Sequence, residues 1–370
     1  MTLTILEILF ALCGIVSSLF FVFVHLGWQR AMRIPPGRSV HDAVSIVIAA
    51  RNAAATLPDL FIALREQSFP RDRMQILIVD DRSDDATAAV IAAHAGDLPV
   101  EVLRVDQIPD GVSPKKHALY LGIMRAAHEQ ILLTDADCVP QPEWVAAMLR
   151  VFERGNDVAL GLAPLEARAG GASRYAAFES RRTMALMTAA AAWKQPYMAS
   201  GRSWGFTKEL YTRAGGLEPL FAHLGGDDDL LLQRFVRHGA HVGVCMEPGT
   251  QVESPAPSSW RALYRQKLRH YRVSSSYNGR ASALLSLFVV TETLTPLLGA
   301  ALTVMLPGAA KIFPPLLVLW KFWYDTGFLF SAFRWMNGET SRTRLAVHEA
   351  FHIFYAGIVG LLSFVKPPRW

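Results

Sequence analysis

The sequence predicts an α/β domain on a mostly parallel sheet, with helices long enough to span a bilayer at both ends of the chain. Three observations carry this. Short aliphatic runs alternate with helix-like stretches over residues 44–164, the pattern of successive βαβ units. Long apolar runs occur near both ends of the chain, and about 20 such residues suffice to cross the hydrocarbon core. The composition is 51% hydrophobic with a mean hydropathy of +0.22, which is apolar for a soluble enzyme. A length of 370 residues leaves room for one large domain or two ordinary ones. The net charge of +5 and pI near 9.2 suit nucleic acid, anionic lipid or a phosphate-bearing substrate. No nucleic-acid-binding motif is present, so the lipid and phosphate readings lead and no nucleic-acid partner is expected. Cys13, Cys138 and Cys245 have no paired spacing, which fits a reducing compartment.

In chain order, Leu3 to Leu26 is apolar with Glu7 as its only charge. The basic residues Arg30, Arg33 and Arg38 follow the run instead of preceding it, as in a retained anchor with its following segment in the cytoplasm. Ile34-Pro35-Pro36-Gly37 reads as a linker. Strands are expected at Val44–Ala49, Met74–Val79, Val100–Val105, Val158–Pro164 and His241–Met246, and within Gln130–Cys138, where an apolar run of strand type ends in the carboxylates Asp135 and Asp137. Helices are expected at Asn52–Gln67 (interrupted near Pro58), Asp85–Ala95, Lys115–His128, Pro142–Arg154, Ser173–Ala192, Lys208–Ala214 and Leu230–His238. Trp260–Arg272 is a basic amphipathic helix. Ala283–Leu306, Ile312–Phe333 and Leu345–Val365 are candidate spans. The expected domains are an anchor at 1–27, a catalytic domain at 40–272 and a membrane region at 283–370 with two to three transmembrane helices.

Acidic clusters follow strands or open helices at Asp80/Asp81, Asp135/Asp137 and Asp227/Asp228/Asp229. In open α/β sheets ligands bind beyond the carboxyl ends of the strands. Paired carboxylates there suit a hard divalent cation, which takes oxygen ligands and shares them with phosphates. The bland alternative is turn and cap chemistry, for which aspartate is well suited.

These pieces together resemble the membrane-bound family 2 glycosyltransferases, inverting enzymes that include polysaccharide synthases and ceramide glucosyltransferase. Ser45-Ile46-Val47-Ile48-Ala49-Ala50-Arg51-Asn52 looks like the family's opening strand and loop. Val79-Asp80-Asp81-Arg82-Ser83-Asp84-Asp85 resembles V-D-D-x-S-x-D. Lys115-Lys116-His117-Ala118-Leu119 is similar to G-K-x-x-A-L, with Pro114 in place of the glycine. Thr134-Asp135-Ala136-Asp137 matches D-A-D. Asp227-Asp228-Asp229-Leu230 resembles E-D-x-D-L, with Gly226 in place of the glutamate. Gln266-x-x-Arg269-His270 resembles Q-x-x-R-W, with histidine in place of the tryptophan.

The resemblance implies an A-type glycosyltransferase fold, Rossmann-like with a mixed sheet. It also implies a metal-dependent transfer from a nucleotide sugar, UDP-linked for preference. Ala49, Arg51, Asn52, Asp80, Asp81, Lys115 and Asp135 would bind the donor, with Asp81 on the uracil and Asp135 on the ribose. Asp135 and Asp137 would hold Mg²⁺ or Mn²⁺, ions suited to carboxylate ligation. Asp227 would be the acceptor-activating base, with Asp228 its rival and Asp229 a helix cap. Gln266, Arg269 and His270 would lie over the diphosphate and the acceptor mouth, and Gly201-Arg202 would shape the acceptor pocket. The membrane segments point to a lipid or lipid-linked acceptor and a multi-pass inner-membrane location with a cytoplasmic catalytic domain. A processive polysaccharide synthase is the runner-up, and a non-catalytic sugar-nucleotide-binding scaffold is also weighed. His348-Glu349-Ala350-Phe351-His352 also matches the H-E-x-x-H zinc-protease pattern, a competing reading. Within the membrane region, Lys321 and Asp325 are four apart and predicted to pair on one helix face.

Overall fold

The computed structural model describes residues 2–35, 37, 42–223, 225–274, 276–277, 279–338 and 341–365. Pro36 of the linker and Arg38 lie outside them. The first helix, α1 (Thr2–Met32), runs past the apolar stretch. Next come β1 (Val44–Ala50), α2 (Leu57–Arg65), β2 (Met74–Asp81), α3 (Thr87–His94), β3 (Val100–Val105), α4 (Pro114–Arg125) and β4 (Gln130–Asp135). The chain continues through β5 (Val139–Pro140), α5 (Trp144–Glu153), β6 (Val158–Leu160), β7 (Leu165–Glu166), α6 (Gly171–Ala192) and β8 (Trp204–Thr207). Then follow α7 (Lys208–Arg213), α8 (Asp229–Arg237), β9 (Val242–Val244) and β10 (Val252–Pro255). The last helices are α9 (Trp260–Ser274), α10 (Gly279–Met305), α11 (Phe313–Trp335) and α12 (Arg342–Val365).

Two prolines open helices instead of breaking them. Pro58 sits in the first turn of α2 and Pro114 is the first residue of α4, where a missing N–H costs nothing. The expected helix start at Asn52 therefore moves to Leu57. Asn52 itself has φ +50°, a left-handed conformation that asparagine tolerates. The strands β5, β7, β8 and β10 were not anticipated. Each is only two to four residues long, too short for hydrophobic periodicity to register.

The main sheet has the order β3-β2-β1-β4-β8-β6-β9. The strands β1 to β4 are parallel, whereas β8 runs antiparallel to both β4 and β6. Parallel strands are covered on both faces, which is why they read as unbroken aliphatic runs; Val44, Ile46, Val47 and Ile48 of β1 are all fully buried. The chain leaves β1 for β2 and β3 on one side and later places β4 on the other, so the order reverses at β1. In register, Ala49 lies between Val79 and Asp135, and Ala50 is beside Asp80. The acidic strand ends thus align at the switch point, where ligands of such sheets bind. On the far side of β4, Leu132 faces Gly205 of β8. A Cβ on Gly205 would come within 2.5 Å of the Ile131 carbonyl oxygen, so this close approach requires glycine.

The chain divides into two compact units. Arg30–Arg168 with Ala190–Ala256 contains both sheets. Met1–Gln29, Ala169–Ala189 and Pro257–Trp370 contain most of α1, most of α6, and α9 to α12. Within this second unit, α10 and the Leu3–Met32 stretch of α1 are long and apolar enough to cross a membrane. Its interior is charged. Arg182 of α6 meets Glu292 of α10 at 2.7 Å and Glu349 of α12 at 3.2 Å. Lys267 pairs with Glu179 at 2.9 Å, and Lys321 pairs with Asp325 as expected. The zinc-protease pattern resolves into these packing contacts. Glu349 is held by Arg182, and His352 Nδ1 lies 2.9 Å from the Tyr175 hydroxyl. No group of three or more potential metal ligands occurs among the described residues.

Candidate active site

The carboxyl ends of β1, β2 and β4 and the first turn of α4 enclose a cavity of about 520 Å³, within the range of small-molecule sites. β1 and its loop supply Ala49, Arg51 and Asn52, β2 supplies Asp81, α4 supplies Lys115, and β4 with the following turn supplies Asp135 and Asp137. Seven of the residues expected at the donor and metal sites therefore line one space.

The loops after β1 and β2 are tied to each other. The Asn52 amide donates to Ser83 Oγ at 3.0 Å, and the Asp84 amide donates to Asn52 Oδ1 at 3.0 Å. The Ala54 amide donates to Asp85, which also accepts from Thr87. The Thr87 hydroxyl is the main cause that holds the Asp85 carboxyl below its ordinary range. Asp80 and Asp81 divide the work. Asp80 accepts from the Ser83 amide at 3.1 Å and shapes the turn, outside the cavity wall. Asp81 faces the cavity and pairs with Arg82 at 3.0 Å.

Lys115 is the hub of the site. Its ammonium lies 2.8 Å from Asp135 Oδ1 and 3.1 Å from Asp227 Oδ2. Burial opposes its charge, but Asp135 and Asp227 outweigh it and hold Lys115 well above the ordinary lysine range. Burial also raises the carboxyl of Asp227, yet the adjacent Lys115 reverses this and leaves it below the ordinary range. Asp228 has no such direct partner: burial first, and the Asp227 charge second, push it up to about 6. Its Oδ2 accepts from the Gly201 amide and its Oδ1 from the Asp229 amide, both at 2.7 Å. Asp228 is thus the residue that caps α8, a role the sequence pattern had suggested for Asp229. Asp229 instead accepts from the Ala199 amide at 3.0 Å.

Gly201 packs against this cluster, since a Cβ there would sit 3.2 Å from Asp228 Oδ2 and 3.7 Å from Lys115 Nζ. Arg202 donates to Ser254 Oγ at 2.8 Å, and its carbonyl accepts from Thr134 of β4. Gln266, Arg269 and His270 stand on α9, in the other unit. Sequence reasoning missed Lys116, whose buried ammonium donates to the carbonyls of His223 and Gly225 just before Asp227. Adjacent lysines read as a solvated pair, and no local signal marks one as interior.

Asp135 and Asp137 fit a divalent cation by donor type. Burial, and then the neighbouring Asp135 charge, raise the Asp137 carboxyl, with Arg202 only partly offsetting them. A cation there would share Asp135 with Lys115, whose ammonium lies 2.8 Å from its Oδ1. Two carboxylates leave most of a coordination shell to water and phosphate oxygens, the habit of Mg²⁺ in particular.

Comparisons with known proteins agree with this geometry. Residues 41–272 match the family model described as "Glycosyltransferase like family 2". The chain is 23% identical over 251 residues to the probable glycosyltransferase YdaM of Bacillus subtilis, covering 66% of this chain and 57% of that protein. It is 33% identical over 97 residues to 4,4'-diaponeurosporenoate glycosyltransferase of Staphylococcus aureus, covering 26% and 24%. The match thus spans little more than half of one relative and about a quarter of the other. A mannosyltransferase from Pyrobaculum calidifontis, solved with GDP-mannose and Mn²⁺, superposes over 94% of this chain and 99% of its own, with a TM-score of 0.54 at 18% identity. That likeness concerns the fold, which is the A-type glycosyltransferase fold in both. With the family pattern spanning most of the chain and its acidic motifs gathered at the switch point of the sheet, the chain belongs to glycosyltransferase family 2.

Proposed function

We propose that the protein transfers a sugar from a nucleotide donor, UDP-linked for preference, to a lipid or lipid-linked acceptor at the cytoplasmic face of the membrane, with inversion at the anomeric carbon. The supporting observation is the bridge made by Lys115 between Asp135 and Asp227 at the mouth of the β1/β4 crevice. The nucleoside lies against Ala49, Arg51, Asn52 and Asp81, and the diphosphate lies toward Lys115. Asp135 and Asp137 would hold Mg²⁺ or Mn²⁺, which supplies Lewis-acid neutralisation of the departing diphosphate. Asp227 takes the proton from the acceptor hydroxyl as it attacks the anomeric carbon, work worth about 10² to 10⁴ in rate for a positioned base. Attack from the side opposite the phosphate inverts the centre. Arg269, with Gln266 and His270, belongs to the diphosphate and acceptor side by family resemblance, and its planar guanidinium suits phosphate. Gly201-Arg202 borders the acceptor.

Two long apolar helices support a membrane enzyme, and an enzyme tied to the bilayer gains most when its acceptor is held there. A processive synthase would need a channel, and only α1 and α10 pass the test of length and apolarity among the described residues. The deciding experiment incubates the purified chain with radiolabelled UDP- and GDP-sugars and membrane lipid extract, with and without Mg²⁺ or Mn²⁺. Label in the organic phase that depends on a UDP-sugar and metal is expected. Label only in a polymer, or only from a GDP-sugar, overturns the acceptor or the donor assignment respectively.

A further inference from the structure

We propose that Lys116 is a positioning residue of the transfer reaction: it holds the main chain ahead of Asp227 so that this carboxylate meets the Lys115 ammonium. The inference rests on the reading of Asp227 as the base. Lys115 and Lys116 are consecutive in the first turn of α4, and at 3.6 residues per turn neighbours point about 100° apart. Lys115 lines the cavity, while Lys116 is fully buried and donates to the carbonyls of His223 and of Gly225, the latter at 2.6 Å. One lysine thus grips the side chain of Asp227 and the next grips the backbone leading to it. Gly225 and Gly226 have φ of +86° and +69°, a left-handed path that glycine permits without strain.

An ammonium is an expensive way to fill a core position. Carbonyls satisfy its hydrogen bonds but not its charge, and an apolar side chain of similar volume is often at least as stabilising. Burial accordingly lowers Lys116 to about 8, with Asp227 and Asp228 acting in the opposite direction. What the ammonium adds is a fixed donor for converging carbonyls and a positive charge behind the acidic pair. Asp227 and Asp228 are the carboxylates whose charge favours it. Such supporting partners typically contribute about 10- to 100-fold to the function of the groups they orient.

The test is a double-mutant cycle on the full chain with saturating donor and metal, using Lys116→Met, Asp227→Asn and the double variant. Lys116→Met retains length and the apolar stem. It should lower kcat about 10- to 100-fold while the donor KM stays within about twofold, the pattern of a lost transition-state contribution. In the Asp227→Asn background it should add almost nothing, because its effect passes through Asp227. Lys116→Gln, which keeps a donor of shorter reach, carries the same cycle if Lys116→Met does not fold. Multiplicative losses in the double variant, or a raised donor KM with kcat unchanged, overturn the Lys116 proposal. Undiminished kcat in Asp227→Asn alone overturns the underlying reading of the base instead.

Discussion

Replacing Asp227 by asparagine keeps the shape of the side chain but removes the carboxylate proposed as the base, together with its ion pair to Lys115, and the pH profile tells it apart from its neighbour. A base works only when deprotonated, so the rate falls as pH drops through its pKa. In the free enzyme Lys115 holds Asp227 below the ordinary aspartate range, whereas Asp228 is pushed up to about 6. With Asp227 as base, the acid limb of kcat/KM, which reports free enzyme, should lie below about 3.9. With Asp228 as base it should lie near 6. Asp227→Asn should lower kcat by about 10² to 10⁴, or about 2.7 to 5.4 kcal/mol at about 1.36 kcal/mol per decade, with little change in donor KM. Asp228→Asn meets a different obstacle. Both of its oxygens accept from backbone amides, so the new NH₂ must face an N–H, and stability should fall by about 1–3 kcal/mol. Steady-state kinetics from about pH 3 to about pH 8, a span that brackets both an aspartate below its ordinary range and one near 6, with thermal denaturation of both variants, measures all of this. An acid limb near 6, together with a dead Asp228→Asn and a normal Asp227→Asn, would refute the assignment.

Three further outcomes follow from the geometry. Asp137→Ala should abolish transfer and the chelator-sensitive part of donor binding, as read by calorimetry with and without EDTA; full activity in excess chelator would sink the metal role. Gly205→Ala should destabilise the β4–β8 pair by about 1–3 kcal/mol, because its Cβ would meet a backbone carbonyl at 2.5 Å, and an unchanged melting temperature would show that β8 can retreat. Arg182→Met should leave Glu292 and Glu349 buried without their cation, a loss of about 3–5 kcal/mol visible as a lower melting temperature in detergent; a stable variant would mean that the carboxyls are protonated or hydrated.

The half of the sheet that builds the cavity was legible in the sequence because burial on both faces forces β1, β2 and β4 into aliphatic runs, and each run stops where the cavity begins. Val100–Val105 fell where it was predicted, and the apolar run within Gln130–Cys138 is a strand that ends at the first of its two carboxylates, Asp135. The other half was not legible. β8 is four residues whose partners on β4 and β6 lie far away in sequence, so its conformation is set by tertiary pairing. The same holds for interior charge. Nothing local marks Lys116 as buried, because its carbonyl partners lie more than a hundred residues downstream. Likewise, Arg182, Glu292 and Glu349 are ordinary surface types until three helices bring them together. Motifs show which groups do chemistry; the groups that aim them are set by contacts across the fold.

Lys115 gives this division a functional consequence. A single ammonium stands between a donor-side carboxylate and the proposed base, so with no donor present the base is ion-paired and weakly basic. A diphosphate offers more negative charge than Asp227 does, and a donor that drew Lys115 toward itself would weaken the field that depresses Asp227. Basicity at the proposed base would then rise only with the donor in place. In kinetic terms the acid limb of kcat, which reports the loaded enzyme, should lie at higher pH than that of kcat/KM. Lys115→Met should bring the two limbs together while weakening donor binding. Coincident limbs in the unaltered enzyme would show that Lys115 keeps its hold on Asp227 throughout, and that donor and acceptor sites are not coupled through it.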